Sequence, residues 1–168
     1  IIPAYLLGKR FSNRTGGLVA AFIFALSPGQ FFTRSLVGFA DHHIAETLFM
    51  AMAVVGVLAA VNVAMRDRPV WELVTAREFG PLRPTLIYSA LGGVGISLYI
   101  WVWPPGVFLI GILGIFFGVT MLGQYVRGVS PDHLATVAVT IGAVTTVLTL
   151  VVINETGLVA SKLSSVQP

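Results

Sequence analysis

The chain has no cysteine and very little charge. Zero Cys in 168 residues excludes a disulfide framework and leaves the redox compartment undefined. Charged residues make up 10% of the chain, against about 25% in a soluble globular domain. So little charge cannot cover the surface of a water-soluble fold of this length, and the bilayer has to act as solvent. There is no initiating Met and no signal-peptide pattern, and neither an internal repeat nor a low-complexity segment. The formal charge of +3 is modest, and no nucleic-acid partner is expected.

What fills the space is apolar. Hydrophobic residues are 56% of the chain, with 18 Gly and 11 Phe, and the mean hydropathy is +0.90. A spanning helix needs about 20 mostly apolar residues. By that measure, five full spans are expected: about Gly16 to Phe32, Ile44 to Met65, Thr85 to Trp103, Gly106 to Val126, and Leu134 to Ile153. Pro28-Gly29 should end or kink the first of them. The opening stretch Ile1 to Leu7 is too short to span. It predicts a segment that begins inside one helix and ends in a loop, so residues 1–168 read as a fragment of a transmembrane domain. The expected fold is all-α, a polytopic transmembrane helical bundle of about five full spans plus one partial.

Charge placement orients the bundle. If the loops alternate sides, Lys9, Arg10, Arg14, Arg66, Arg68, Arg77, Arg83 and Arg127 fall on one side, and only Arg34 and Lys162 on the other. Basic loops stay cytoplasmic, so the segment around residue 41 and the Trp103-Pro104-Pro105-Gly106 reversal should face outside, with Trp101 and Trp103 at the interface. The 66–83 loop reads as a solvated linker near lipid headgroups or as a short interfacial helix carrying Trp71 and Phe79. Gly111, Gly114 and Gly118 lie where a neighbouring helix could approach closely.

One run stands out against this apolar background. Arg34, Asp41, His42, His43 and Glu46 fall within thirteen positions at the start of the Ile44 span. In an extended segment, positions i and i+2 share a side, so Asp41 and His43 could grip one cation. Glu46, three residues on, could face the same site. Carboxylate with imidazole suits Mn²⁺, and less selectively Mg²⁺ or Zn²⁺. The residues alone leave a second reading open: Asp41 as a helix cap, with His42, His43 and Glu46 as interfacial groups reaching water. An acidic group just inside the apolar boundary weighs against that blander view.

The segment from Thr33 through Arg34, Gly38, Asp41-His42-His43 to Glu46 resembles the second acidic motif of the catalytic subunit of oligosaccharyltransferase, in its archaeal AglB type. That motif has an arginine, a glycine, and Asp-x-His in the archaeal form, matched here by Arg34, Gly38 and Asp41-His42-His43. The resemblance implies a GT-C glycosyltransferase-like membrane fold and a catalytic Mn²⁺ or Mg²⁺ bound by Asp41 and His43. Glu46 and His42 are further candidates for the same cation. Asp41 and Arg34 are the implied catalytic residues, Arg34 on the acceptor side. The implied reaction moves an oligosaccharide from a dolichyl-phosphate-type carrier to Asn of an Asn-x-Ser/Thr sequon in an acceptor protein. The implied setting is a multi-pass protein of the cell membrane, in contact with membrane lipids, with its active site on the external face.

Other family features are absent from the chain: the first external loop with its own aspartate, the Ser/Thr-Val/Ile-x-Glu motif, and the Trp-Trp-Asp-Tyr-Gly motif of the C-terminal soluble domain. The tail Ser164-Ser165-Val166-Gln167-Pro168 has no glutamate and is not assigned. The segment by itself is therefore expected to be inactive. Two sequons of its own, Asn13-Arg14-Thr15 and Asn154-Glu155-Thr156, read as chance occurrences. Two other classes stay open. One is a different polyprenyl-phosphate-dependent GT-C glycosyltransferase. The other is a transporter or non-catalytic membrane subunit, which would need polar residues along several spans. Thr47, Asn62, Thr120 and Gln124 make no clear pathway.

Overall fold

The computed structural model describes residues 1–27, 42–65 and 70–156, with side chains to residue 152. Seven α-helices occupy the described residues: α1 (Ile2–Phe11), α2 (Arg14–Ala25), α3 (His42–Ala64), α4 (Val70–Thr75), α5 (Leu82–Val102), α6 (Val107–Val126) and α7 (Asp132–Thr156). A 3₁₀ turn, Pro104–Gly106, joins α5 to α6. No strand occurs among the described residues. Four helical stretches are long and apolar enough to cross a membrane: His43–Ala64, Leu82–Val102, Pro104–Val126 and Asp132–Val152. They coincide with the last four expected spans, and the fold is a polytopic helical membrane fold.

The first expected span differs. Within the described residues it is the 12-residue helix α2. At 1.5 Å per residue that is roughly 18 Å, short of a hydrocarbon core about 30 Å thick. The remainder of that span, residues 28–32, lies outside the described residues. The opening stretch is helical: α1 runs over Ile2–Phe11, turns at Ser12-Asn13 and packs against α2 as a hairpin. Asn13 caps α2: its side-chain oxygen accepts from the Gly16 backbone N–H at 2.9 Å. The carboxamide of the first sequon is thus engaged in holding a helix start. The 66–83 segment contains α4, one and a half turns long, with Trp71 exposed and Leu73 buried, and Phe79 exposed in the turn that follows.

The centre of the bundle is the antiparallel pair α3/α5. Its contact face is built of small residues. A Cβ on Gly56 would lie 2.8 Å from the Gly92 Cα, and one on Gly95 would lie 2.9 Å from the Ala53 Cα. The backbones therefore touch, which only glycine permits. Ala53, Val57, Ala60 and Ala64 carry the seam along α3, and Ile96 and Tyr99 along α5. In lipid, burying apolar area drives nothing, so van der Waals contact at such small-residue seams carries the association.

Helix α7 closes on the other side of α5. Gly93 admits Val144, and the Thr145 hydroxyl donates to the Gly93 carbonyl at 3.3 Å. Interhelical hydrogen bonds in membranes contribute about 0.6 kcal/mol on average, so this bond fixes register more than it adds stability. Ser89 and Ser97 donate back to carbonyls of their own helix, Thr85 and Gly93.

Helix α6 is the least embedded span. Only Leu109 and Phe117 are buried on it. No atom of the described residues lies within 4 Å of a Cβ built on Gly111, Gly114 or Gly118. The expected glycine contact is thus not made by the described part of this chain; α6 turns its other side, with Leu109 and Phe117, toward the core.

Two substitutions separate these glycine faces. Gly92→Leu should force α3 and α5 apart and destabilise the chain by about 1–3 kcal/mol, as overpacking does. Gly111→Leu should stay within about 0.5 kcal/mol, as at an unpacked surface. Unfolding in mixed detergent and SDS, followed by circular dichroism, reads both. Equal effects of the two would contradict the α3/α5 seam.

Candidate functional site

Helix α3 starts at His42, two residues earlier than the hydropathy pattern suggests. His43 is therefore helical, and the extended geometry expected to align it with Asp41 does not apply to it. Asp41 and Arg34 lie outside the described residues. What helical geometry does provide is the i, i+3 neighbour. His43 Nδ1 stands 3.1 Å from Glu46 Oε2. The His42 ring lies against the His43 ring, centroids 4.3 Å apart and planes tilted by 35°. One ligand atom from each of His42, His43 and Glu46 falls within 4.8 Å of the others. Two ligands on opposite sides of one ion, each about 2.2–2.4 Å away, are about 4.4–4.8 Å apart, so the group is at the upper end of the spread one divalent cation allows. A hard carboxylate with borderline imidazole is a suitable donor set for it.

The surroundings follow from the α3/α5 register. Gly56 opposite Gly92, and Ala53 opposite Gly95, bring the first turns of α3 level with the end of α5. Tyr99, 5% exposed, lies there. Its ring packs on Trp103 at a centroid distance of 5.8 Å. A Cβ on Gly106 would sit 2.7 Å from the Tyr99 ring, so the Trp-Pro-Pro-Gly turn rests directly on this aromatic pair. The histidine cluster and the turn thus occupy the same end of the bundle, as the loop alternation requires. Tyr99 was not singled out from the sequence. Only the register of two helices 50 residues apart could reveal it, and no local pattern records that.

The opposite end carries the positive charge. Lys9 and Arg10 close α1, Arg14 opens α2, Arg77 and Arg83 flank the start of α5, and Arg127 ends α6. Helix α1 runs parallel to α3: Ile1 and Pro3 line a groove with Ile44 and Leu48, while Arg10 lines one with Leu58 and Asn62. Every described Lys and Arg therefore sits at the end away from His43. The polar pair at that basic end, Gln124 with His133 at 3.2 Å, joins α6 to α7 and includes no carboxylate.

Most of the described hydroxyls inside the bundle are bonded to backbone. Ser89, Ser97, Thr120, Thr136 and Thr140 donate to carbonyls of their own helices, and Thr145 to its neighbour. A transport route would need polar atoms facing a common lumen; these six face backbone, and only Thr149 Oγ1 and Gln124 Oε1 among the described residues are buried without a partner.

Comparison with known proteins bears on the same residues. The family described as "Oligosaccharyl transferase STT3, N-terminal" matches residues 1–166. The dolichyl-monophosphooligosaccharide–protein glycotransferase AglB of Haloferax volcanii is 47% identical over 168 residues, 100% of this chain and 16% of that protein. A dolichyl-phosphooligosaccharide–protein glycotransferase, number 3, of Archaeoglobus fulgidus is 33% identical over 152 residues, 89% of this chain and 16% of that protein. The chain thus spans about one sixth of the length of these relatives. No solved structure matches. An all-helical membrane bundle with an Asp-His-His segment entering one span, matched from residue 1 to residue 166, belongs to the STT3 oligosaccharyl transferase family, in its N-terminal part.

Proposed function

We propose that this chain is part of the transmembrane domain of an oligosaccharyltransferase. In that reading the whole enzyme moves an oligosaccharide from a dolichyl-phosphate-type carrier to the Asn of an Asn-x-Ser/Thr sequon in a protein acceptor. The observation that carries it is the 47% identity, over all 168 residues of this chain and 16% of the relative, to a dolichyl-monophosphooligosaccharide–protein glycotransferase. The cluster at the start of α3, which lies within the segment resembling the family's acidic motif, supports it.

In this reading Asp41 and His43 hold a divalent cation, Mn²⁺ or Mg²⁺, at the membrane surface. Such an ion supplies Lewis-acid stabilisation of charge on a leaving phosphate. Arg34 provides a fixed positive charge on the acceptor side. The side chain of His43 is 44% exposed and Glu46's is 21% exposed, so the imidazole stands where a water-borne acceptor and a lipid-borne donor can both reach. Stability alone does not account for Glu46. An i, i+3 side-chain pair on a helix is worth about 0.2–0.5 kcal/mol, while a carboxylate within a span costs up to roughly 3 kcal/mol, less near the interface.

Charge placement supports an external site. All described basic residues lie at the end opposite His43, and basic ends stay cytoplasmic. The sequon-reading and first-loop elements of the family would come from elsewhere in the enzyme, so the isolated chain is inactive in this reading.

Replacing Asp41 or His43 by Ala in the full-length enzyme should cut glycan transfer to a sequon peptide by about 100-fold or more, the scale on which lost metal support acts. Membrane insertion should be unchanged. Full transfer by the Asp41→Ala/His43→Ala double variant would end the assignment.

The lack of Cys supplies a clean topology test. In intact cells, a membrane-impermeant maleimide should label Pro105→Cys, in the turn after α5, and spare Val129→Cys, in the turn after α6. The reverse pattern would put the histidine cluster on the cytoplasmic side.

A further inference from the structure

The pairing of His43 with Glu46 has a direction. The contact uses Nδ1 of the imidazole. An ionised carboxylate only accepts hydrogen bonds; a neutral His43 making this contact to it would carry its proton on Nδ1 and its lone pair on Nε2. The hydrogen bond made by one ring nitrogen sets which nitrogen is left to bind metal. Metal-bound histidines commonly have this support: a carboxylate behind the ring fixes its tautomer, its orientation and its basicity.

Depth points the same way. Glu46 is the more buried partner, 21% against 44% side-chain exposure. A carboxylate in direct contact with the ion should share the outer, wetter level with the imidazole. Instead Glu46 lies on the inner side, toward the level of the buried Tyr99 on α5 that the Gly56–Gly92 and Ala53–Gly95 register sets. Below it the Tyr99 ring is held between Trp103 and the Gly106 backbone. On the other flank the His42 ring, 4.3 Å away, restricts rotation of His43. Both partners also sit on regular helical backbone, whose i, i+3 spacing keeps the two side chains together.

We propose that Glu46 is a positioning residue of the metal site: its carboxylate accepts the Nδ1–H of His43 and presents Nε2 to the cation, without binding the cation itself. This rests on the reading of His43 as a ligand. It removes Glu46 from the coordination sphere and assigns it the support of a neighbour.

The test is Mn²⁺ binding to the full-length enzyme in detergent, read from the electron paramagnetic resonance signal of unbound Mn²⁺. Four proteins are compared: wild type, Glu46→Ala, Glu46→Gln and His43→Ala. Glu46→Ala should weaken Mn²⁺ binding by about 10- to 100-fold, as loss of an outer carboxylate does. Glu46→Gln keeps an oxygen that can accept from Nδ1, and should stay within about fivefold of wild type. Its pulsed spectrum should still carry the nitrogen modulation of a bound imidazole.

Glu46→Gln as weak as Glu46→Ala would show that the charge itself binds the ion, and would overturn the proposal. Wild-type affinity in Glu46→Ala would overturn it as well. The His43→Ala protein separates the two layers of inference. Lost affinity and lost nitrogen modulation there uphold His43 as a ligand whatever Glu46 does. Unchanged binding and modulation there would remove the ligand reading itself.

Discussion

The contact on which the rest depends is the one between the backbones of α3 and α5. Gly56 against Gly92, and Gly95 against Ala53, leave no room for side chains. In a solvent as apolar as the helices themselves, this close approach is what association can gain. It also sets register. With those pairs in contact, the start of α3 has to lie beside the end of α5, and the histidine cluster has to lie beside Tyr99 and the Pro104–Gly106 turn. Helix α7 then docks on the remaining face of α5 through Gly93, Val144 and Thr145. The site belongs to a loop-to-helix boundary, yet the middle of the membrane determines what faces it.

The cluster shows how a polar group is made tolerable at such a boundary. Glu46 is one turn inside the helix and mostly covered, where an isolated carboxylate would be costly. It is paired with an imidazole that extends outward. Carboxylate inside and ring outside is a gradient of polarity that follows the membrane surface. Among the described residues, Ser89, Ser97 and Thr120 in the bundle spend their hydroxyls on backbone carbonyls, while Thr149 Oγ1 and Gln124 Oε1 are buried without a partner.

The four long spans were legible because length and hydropathy alone decide them, and so was the Trp-Pro-Pro-Gly reversal, because proline cannot continue a helix. The family was legible from Arg34, Gly38 and Asp41-His42-His43. The first span was not: its apolar run continues past the end of α2, and hydropathy does not record where a helix stops. The start of α3 was placed two residues late because His42 and His43 are polar, although polar residues are ordinary in a first helical turn. The pairing of His43 with Glu46 could be read from spacing. The burial of Glu46 and its neighbour Tyr99 could not, since both follow from contacts distant in sequence. The glycines of α6 promised a helix contact by pattern, but pattern does not say which helix supplies the other half.

The turn after α5 adds something that neither the hydropathy nor the motif contains. A Cβ on Gly106 would lie so close to the Tyr99 ring that any larger residue has to push it, and that ring is in the core seam between α3 and α5. A loop position with no chemistry of its own is therefore packed against the interior of the bundle. Loops of this kind are usually free to drift in sequence. Here a side chain at position 106 would displace a core ring, so its tolerance is set by the Tyr99 packing as well as by the turn.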